Sequence, residues 1–206
     1  QAQAKSLYLP VVRPAGGDWF ANRDVLLPAD PGVFGDAALA LIRRGKFERR
    51  LARALPAHVL TGAKVLELGA GCGFAAALLS MAIAGAGLVV QEADPALEAV
   101  MVGILRRNAV TAEVTRSRDY PGGASVAALL SAHRPEVLIL GCPRLAVGAL
   151  AQGLDAQTGT VGRIVLHGRM LDPGSGGEDI ARLLEGRGFS ALEGLDPGAV
   201  RIFSKG

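Results

Sequence analysis

Residues Val65–Phe74 read VLELGAGCGF, a hydrophobic run that ends in an acid and is followed by glycines at 69, 71 and 73. A short apolar run bounded by turn residues reads as a buried strand. Glycine at every second position leaves the loop after it with a bare backbone, able to turn sharply and to approach a ligand closely. The apolar stretch FAAALLSMAIAG follows at once, so strand, loop and helix form the first unit of an open α/β sheet. In such sheets ligands sit beyond the carboxyl ends of the strands, where the strand order reverses.

Outward from this unit the same alternation continues. The strand-like runs are KVLEL, LVVQEA, TAEVTRS, EVLILGC and GRIVLHG, separated by FAAALLSMAIAG, PALEAVMVGILRRNA, ASVAALLSAH and PRLAVGALAQG. Pro95 and Pro143 fall where a first helical turn accepts proline. The helix SGGEDIARLLEGRGF precedes SALEGL and AVRIFSK, which only the turn DPG separates, too short a link for a parallel crossover. The expected fold is therefore α/β: a doubly wound, Rossmann-like, mainly parallel sheet of seven strands with an antiparallel C-terminal hairpin and helices on both faces. Residues 61–206 are expected to form this unit. Residues 1–60, with Pro10, Pro14, Pro28 and Pro31 ahead of one amphipathic helix, ALALIRRGKFERRLARALP, read as an extension that caps the ligand end.

Bulk properties narrow the function classes. Half of the 206 residues are hydrophobic and the formal charge is only +3, which suits a globular domain and argues weakly for nucleic acid. The basic cluster RRGKFERR lies on the face opposite Leu41, Ile42, Phe47, Leu51 and Leu55, as a solvated helix face does. Two cysteines, Cys72 and Cys142, have no metal-ligand spacing; both are expected to be reduced packing residues in a cytoplasmic protein, and no metal site is expected. The segment Phe74–Val90 approaches the length of a membrane span, but Gly85, Ala86 and Gly87 divide it into a helix and a strand.

The ligand is read from three features. The third glycine comes one residue too early for the dinucleotide pattern G-x-G-x-x-G, and Phe74 stands in its place. Glu67, two residues before the first glycine, suits a cationic amino-acid group and is unwelcome beside a pyrophosphate. Glu92 ends the next strand about 20 residues after the loop, where an acid accepts ribose hydroxyls in either kind of nucleotide site.

Together, E-x-G-x-G-x-G and a strand-ending acid resemble the cofactor site of class I S-adenosylmethionine (SAM) methyltransferases. In finer detail the chain resembles the FkbM family. GKFERRLARAL is similar to that family's G-x-[YF]-E helix entry, KVLELGAGCGF to its first motif, and VVQEADPALEAVMVGILRRNAV to its E-x-N-P-x-L segment running into R-x-N. The similarity covers residues 45–109 and then weakens. It implies that Glu67, Gly69, Gly71 and Gly73 hold the methionine part of SAM and that Glu92 holds its ribose; Ala70, between the glycines, is expected in the same cofactor site. Ala93 is small enough to flank an adenine, Asp94 can cap the next helix, and Asp119 can accept the adenine amino group. The resemblance also implies O-methylation of a small molecule or glycan.

The acceptor half departs from the family. After the fourth strand of this unit the family carries an acidic motif, where this chain has LILGCPRLA. After the fifth it carries E-x-H; here IVLHG keeps His167 and puts Val165 at the acid's position. The ends of these strands make Cys142 and Arg144 the expected acceptor-lining residues, with Arg169 as a further cation. His167 is the expected general base. The expected partner is a small-molecule or glycan acceptor, without nucleic acid or membrane, and a homodimer is the assembly to test. Two other readings stand beside this one. A SAM-binding protein without transferase activity agrees with the missing acids. An NAD(P)-linked oxidoreductase agrees with Glu92 but not with Glu67 or the glycine spacing.

Overall fold

The computed structural model describes residues 7–115, 123–142, 145–156, 159–172 and 174–206. An N-terminal hairpin, β1 (Trp19–Asn22) and β2 (Val25–Pro28), leads into helices α1 (Asp36–Arg43) and α2 (Arg49–Ala57). The main unit follows as β3 (Lys64–Leu68), α3 (Phe74–Ala82), β4 (Gly87–Gln91), α4 (Pro95–Arg107), β5 (Glu113–Thr115), α5 (Gly123–His133) and β6 (Val137–Leu140). It closes with α6 (Val147–Ala156), β7 (Arg163–His167), a 3-10 turn at Gly168–Leu171, α7 (Gly177–Glu185), β8 (Phe189–Ala191) and β9 (Val200–Lys205). The seven strands of the large sheet run in the order β5-β4-β3-β6-β7-β9-β8. All pairs from β5 to β7 are parallel, and β9 pairs antiparallel with both β7 and β8. This is the expected doubly wound sheet with its antiparallel hairpin. The strand order reverses beside β3, so the end of β3 is the switch point.

Alternation along the strands divides the core into two layers. Val65, Val90, Ile139 and Val165 face α3, α4 and the N-terminal segment. Leu66, Leu68, Leu138, Leu140, Ile164 and Leu166 face the opposite way, against α5, α6 and α7. Glu67 and His167 take the same phase as Val65 and Val165, which turns both toward the N-terminal segment. The stretch that imitates a membrane span divides into α3 and β4, and no described helix is long and apolar enough to cross a membrane.

Of two helix expectations, one needs correction and one stays untested. Pro143, expected in a first helical turn, lies outside the described residues. The stretch ALALIRRGKFERRLARALP is two helices rather than one. Gly45 has φ of +65° and a Cβ there would lie 2.9 Å from the Ala21 carbonyl oxygen, while Glu48 adopts φ of +40°. Buried Asn22 holds the break: its Oδ1 accepts the Phe47 N–H at 2.8 Å and its Nδ2 donates to the Ile42 carbonyl at 3.1 Å. The side chain thus replaces the helical hydrogen bonds lost at the break. Asn22→Ala leaves the Phe47 N–H without a partner, whereas the Ile42 carbonyl keeps the Gly45 N–H at 3.0 Å. Chemical denaturation is expected to show a loss of about 1–3 kcal/mol, and a loss below about 0.5 kcal/mol would show that the break does not depend on Asn22.

A row of aromatic rings docks this segment on the sheet. Tyr8, Phe34, Phe47 and Phe74 follow one another at centroid distances of 5.6, 5.7 and 5.4 Å. Phe47 immediately precedes Glu48, and Phe74 immediately follows Gly73. The stack therefore fixes the helix break against the glycine loop, and each such pair adds about 0.5–1.5 kcal/mol beyond its burial.

Candidate functional site

A cleft of about 640 Å³ opens over the ends of β3, β4 and β6, within the range of about 300–1,000 Å³ typical of small-molecule sites. Gly69, Ala70, Gly71, Glu92, Ala93, Cys142 and His167 line it, together with two residues the sequence did not mark, Tyr8 and Glu48. Gly73 does not line it; a Cβ there would meet Met101 of α4 at 2.8 Å, so this glycine serves the packing of α3. Asp119 and Arg144 lie outside the described residues, as does the side chain of Arg169.

The glycine loop is held from β4. The N–H groups of Gly69 and Ala70 both donate to the Gln91 carbonyl, at 2.8 and 3.0 Å. Glu92 then turns back: its Oε2 accepts the Gly71 N–H at 2.7 Å and its Oε1 accepts the Asp94 N–H at 2.9 Å. Each carboxylate oxygen keeps a further lone pair for a ligand in the cleft. Burial pushes the Glu92 carboxyl above its usual range, against the opposing effect of these N–H donors. Asp94 caps α4 through the Ala96 N–H at 2.8 Å, with Pro95 in the first turn. On the other side of the loop, the Tyr8 hydroxyl accepts the Cys72 N–H at 3.0 Å. A Cβ on Gly71 would sit 2.5 Å from that hydroxyl.

Three ionisable side chains meet at one end of the cleft. Glu48 and His167 line it, whereas Glu67, expected in the site, is buried next to His167 and does not line it. His167 Nε2 lies 3.6 Å from Glu67 Oε1, and His167 Nδ1 lies 3.6 Å from Glu48 Oε1. At that separation these are ion pairs rather than hydrogen bonds. Both ring nitrogens of His167 and both oxygens of Glu67 are buried without a hydrogen-bond partner among the described residues. Buried polar groups are normally hydrogen-bonded; these atoms instead face one another across the two ion pairs, beside the cleft. Burial alone would lower the His167 pKa; the two carboxylates, Glu48 ahead of Glu67, outweigh it and push it up to about 10. Burial likewise raises Glu67, against the opposing pull of His167. The two carboxylates thus favour the protonated form of the imidazole.

The cysteines are buried and form no disulfide. Burial pushes the Cys72 thiol up to about 12, which makes it unreactive. Cys142 backs the loop: a Cβ on Gly69 would fall 2.6–2.7 Å from its Cβ, Cα and N atoms.

Comparison with known proteins agrees on the fold. No protein-family model and no curated protein matches the sequence. Among solved structures, the chain is similar to a precorrin-6y C5,15-methyltransferase from Geobacter metallireducens, with TM-score 0.59 and 14% identity over 78% of this chain and 88% of that one. It is similar to an O-methyltransferase from Bacillus cereus in complex with S-adenosylhomocysteine (SAH), with TM-score 0.54 and 14% identity over 77% and 80%. A protein of the NADB-Rossmann superfamily from Streptococcus agalactiae gives TM-score 0.55 and 16% identity over 77% and 68%. The chain has the α/β Rossmann-like methyltransferase fold. At these identities the likeness reaches no further than the fold.

Proposed function

We propose that the protein is a SAM-dependent methyltransferase of the FkbM-like kind, acting on a hydroxyl of a small molecule or glycan. The observation that carries this reading is the carboxylate of Glu67, buried beside the cleft-lining His167 and without a hydrogen-bond partner among the described residues. A cationic amino-acid group satisfies it; a pyrophosphate meets it with like charge, which weighs against an NAD(P) enzyme. Glu92, already oriented by two backbone N–H groups, has lone pairs left for ribose hydroxyls, and Ala93 leaves room for the base. Asp119 and Arg144 keep their proposed places beside the adenine and the acceptor.

Bound SAM supplies an electrophilic methyl group on a sulfonium sulfur. The protein's share is to align an acceptor hydroxyl and take its proton. Glu48 faces Nδ1 of His167 and fixes the ring, which leaves Nε2 to accept the proton on the cleft side. Positive charge held by Glu67 removes one of the two anions that keep His167 protonated, so ligand binding is linked to release of that proton. The carboxylate missing after β6 is in this way supplied by Glu48 from the N-terminal segment. This weighs against a SAM-binding protein without transferase activity.

NMR titration of the imidazole tests the linkage. In the free protein His167 is expected to stay protonated through pH 8, and saturation with SAH is expected to lower its pKa by about one unit or more. An unchanged value would contradict the proton link. Transfer of a labelled methyl group from SAM to a panel of hydroxylated acceptors tests the activity. Loss of kcat in Glu48→Gln and His167→Gln, with SAM affinity retained, is the expected pattern. Product methylated on nitrogen or carbon alone would overturn the O-directed reading.

A further inference from the structure

A second cleft, of about 480 Å³, adjoins the first and shares Leu7, Glu48 and Gly168 with it. Glu48 thus stands on the boundary between the two. The second cleft has apolar walls, Leu7, Leu41 and Leu51, and Leu41 is left 37% exposed beside it. Its charged lining is Lys46, Arg49 and Arg50, with Glu48 and Asp172. Arg50 is paired with Asp196, and Glu48 faces His167. That leaves Lys46 and Arg49, two cations with no ion pair among the described residues, against the single acid Asp172. The surplus is one positive charge in an apolar cleft that leads to the proton-handling pair.

We propose that this cleft takes the methyl acceptor, and that the acceptor is a monoanion: a hydroxylated carboxylic acid with an aliphatic or aromatic body. The inference rests on the methyltransferase reading above. Lys46 and Arg49 hold the carboxylate, the leucines cover the apolar body, and the hydroxyl reaches Glu48 and His167 where the two clefts meet. A dianionic phosphate fits less well, because Asp172 faces the same space.

The test is calorimetric titration of the full chain, first with SAH and then, at saturating SAH, with two probes. These are 3-hydroxydecanoate and 4-hydroxybenzoate, each compared with its methyl ester. At least one acid is expected to bind about tenfold or more tightly than its ester. Lys46→Ala/Arg49→Ala, which changes two exposed side chains only, is expected to abolish that preference and to leave SAH affinity unchanged. Normal SAH binding with no preference for either acid would overturn this inference alone, as would a preference that survives in the double variant. Absence of SAH binding would overturn the methyltransferase reading and this inference with it.

Discussion

Glu92→Ala is expected to weaken SAH binding about a hundredfold while leaving the protein folded. The carboxylate does two things at once: it orders the loop through the Gly71 and Asp94 N–H groups, and it faces the cleft where a ribose would lie. Losing charged hydrogen bonds to a ligand costs about 1.5–3 kcal/mol, and a loosened loop adds to this. Stability changes less, because removal of a desolvated carboxylate offsets the lost N–H contacts and water can reach the freed donors through the cleft. A thermal shift of the free variant within about 4 °C of the parent, with the SAH-induced shift abolished, is the expected pair of results. An SAH affinity equal to that of the parent protein would remove Glu92 from the site.

Gly69→Val is the counterpart that acts on folding. The residue has φ of +73°, which a β-branched side chain adopts only under strain, and its Cβ would lie 2.6–2.7 Å from Cys142. Two of the three Cys142 atoms concerned are backbone, at the end of β6 in the centre of the sheet, so they cannot turn aside. Left-handed strain of about 1–2 kcal/mol and overpacking of about 1–3 kcal/mol combine here. The expected fall in melting temperature is about 5–20 °C, together with loss of SAH binding. A variant that melts like the parent would show that the loop and the end of β6 are not in contact.

What the chain reveals before folding depends on how local each feature is. The β3 loop, Glu92 and the Asp94–Pro95 cap arise from neighbouring residues, and the strand alternation that aims Glu67 and His167 is a property of each strand alone. Glu48 was hidden for the opposite reason. Ile42, Phe47, Leu51 and Leu55 are all buried, so their spacing passes for one amphipathic helix and conceals the break that carries Glu48 to the cleft. The break depends on Asn22, some twenty residues earlier in the chain, and no local pattern announces such a partner. One signal was available: Gly45 inside a helical pattern costs about 1 kcal/mol relative to alanine and asks for a reason. Tyr8 was equally out of reach, since its hydroxyl meets the Cys72 N–H across 64 positions of sequence. No carboxylate follows directly on β6 in the sequence, and the one that stands beside His167 in the cleft, Glu48, comes from the N-terminal segment.

The central claim is that this cleft is made for a nucleoside bearing an amino acid and not for a dinucleotide. Calorimetric titration of the full chain with SAH and, separately, with NAD⁺ tests it most directly. The prediction is one SAH bound per chain, lost in Glu92→Ala, and no binding of NAD⁺. Binding of NAD⁺ in place of SAH, or heat from neither, would contradict it.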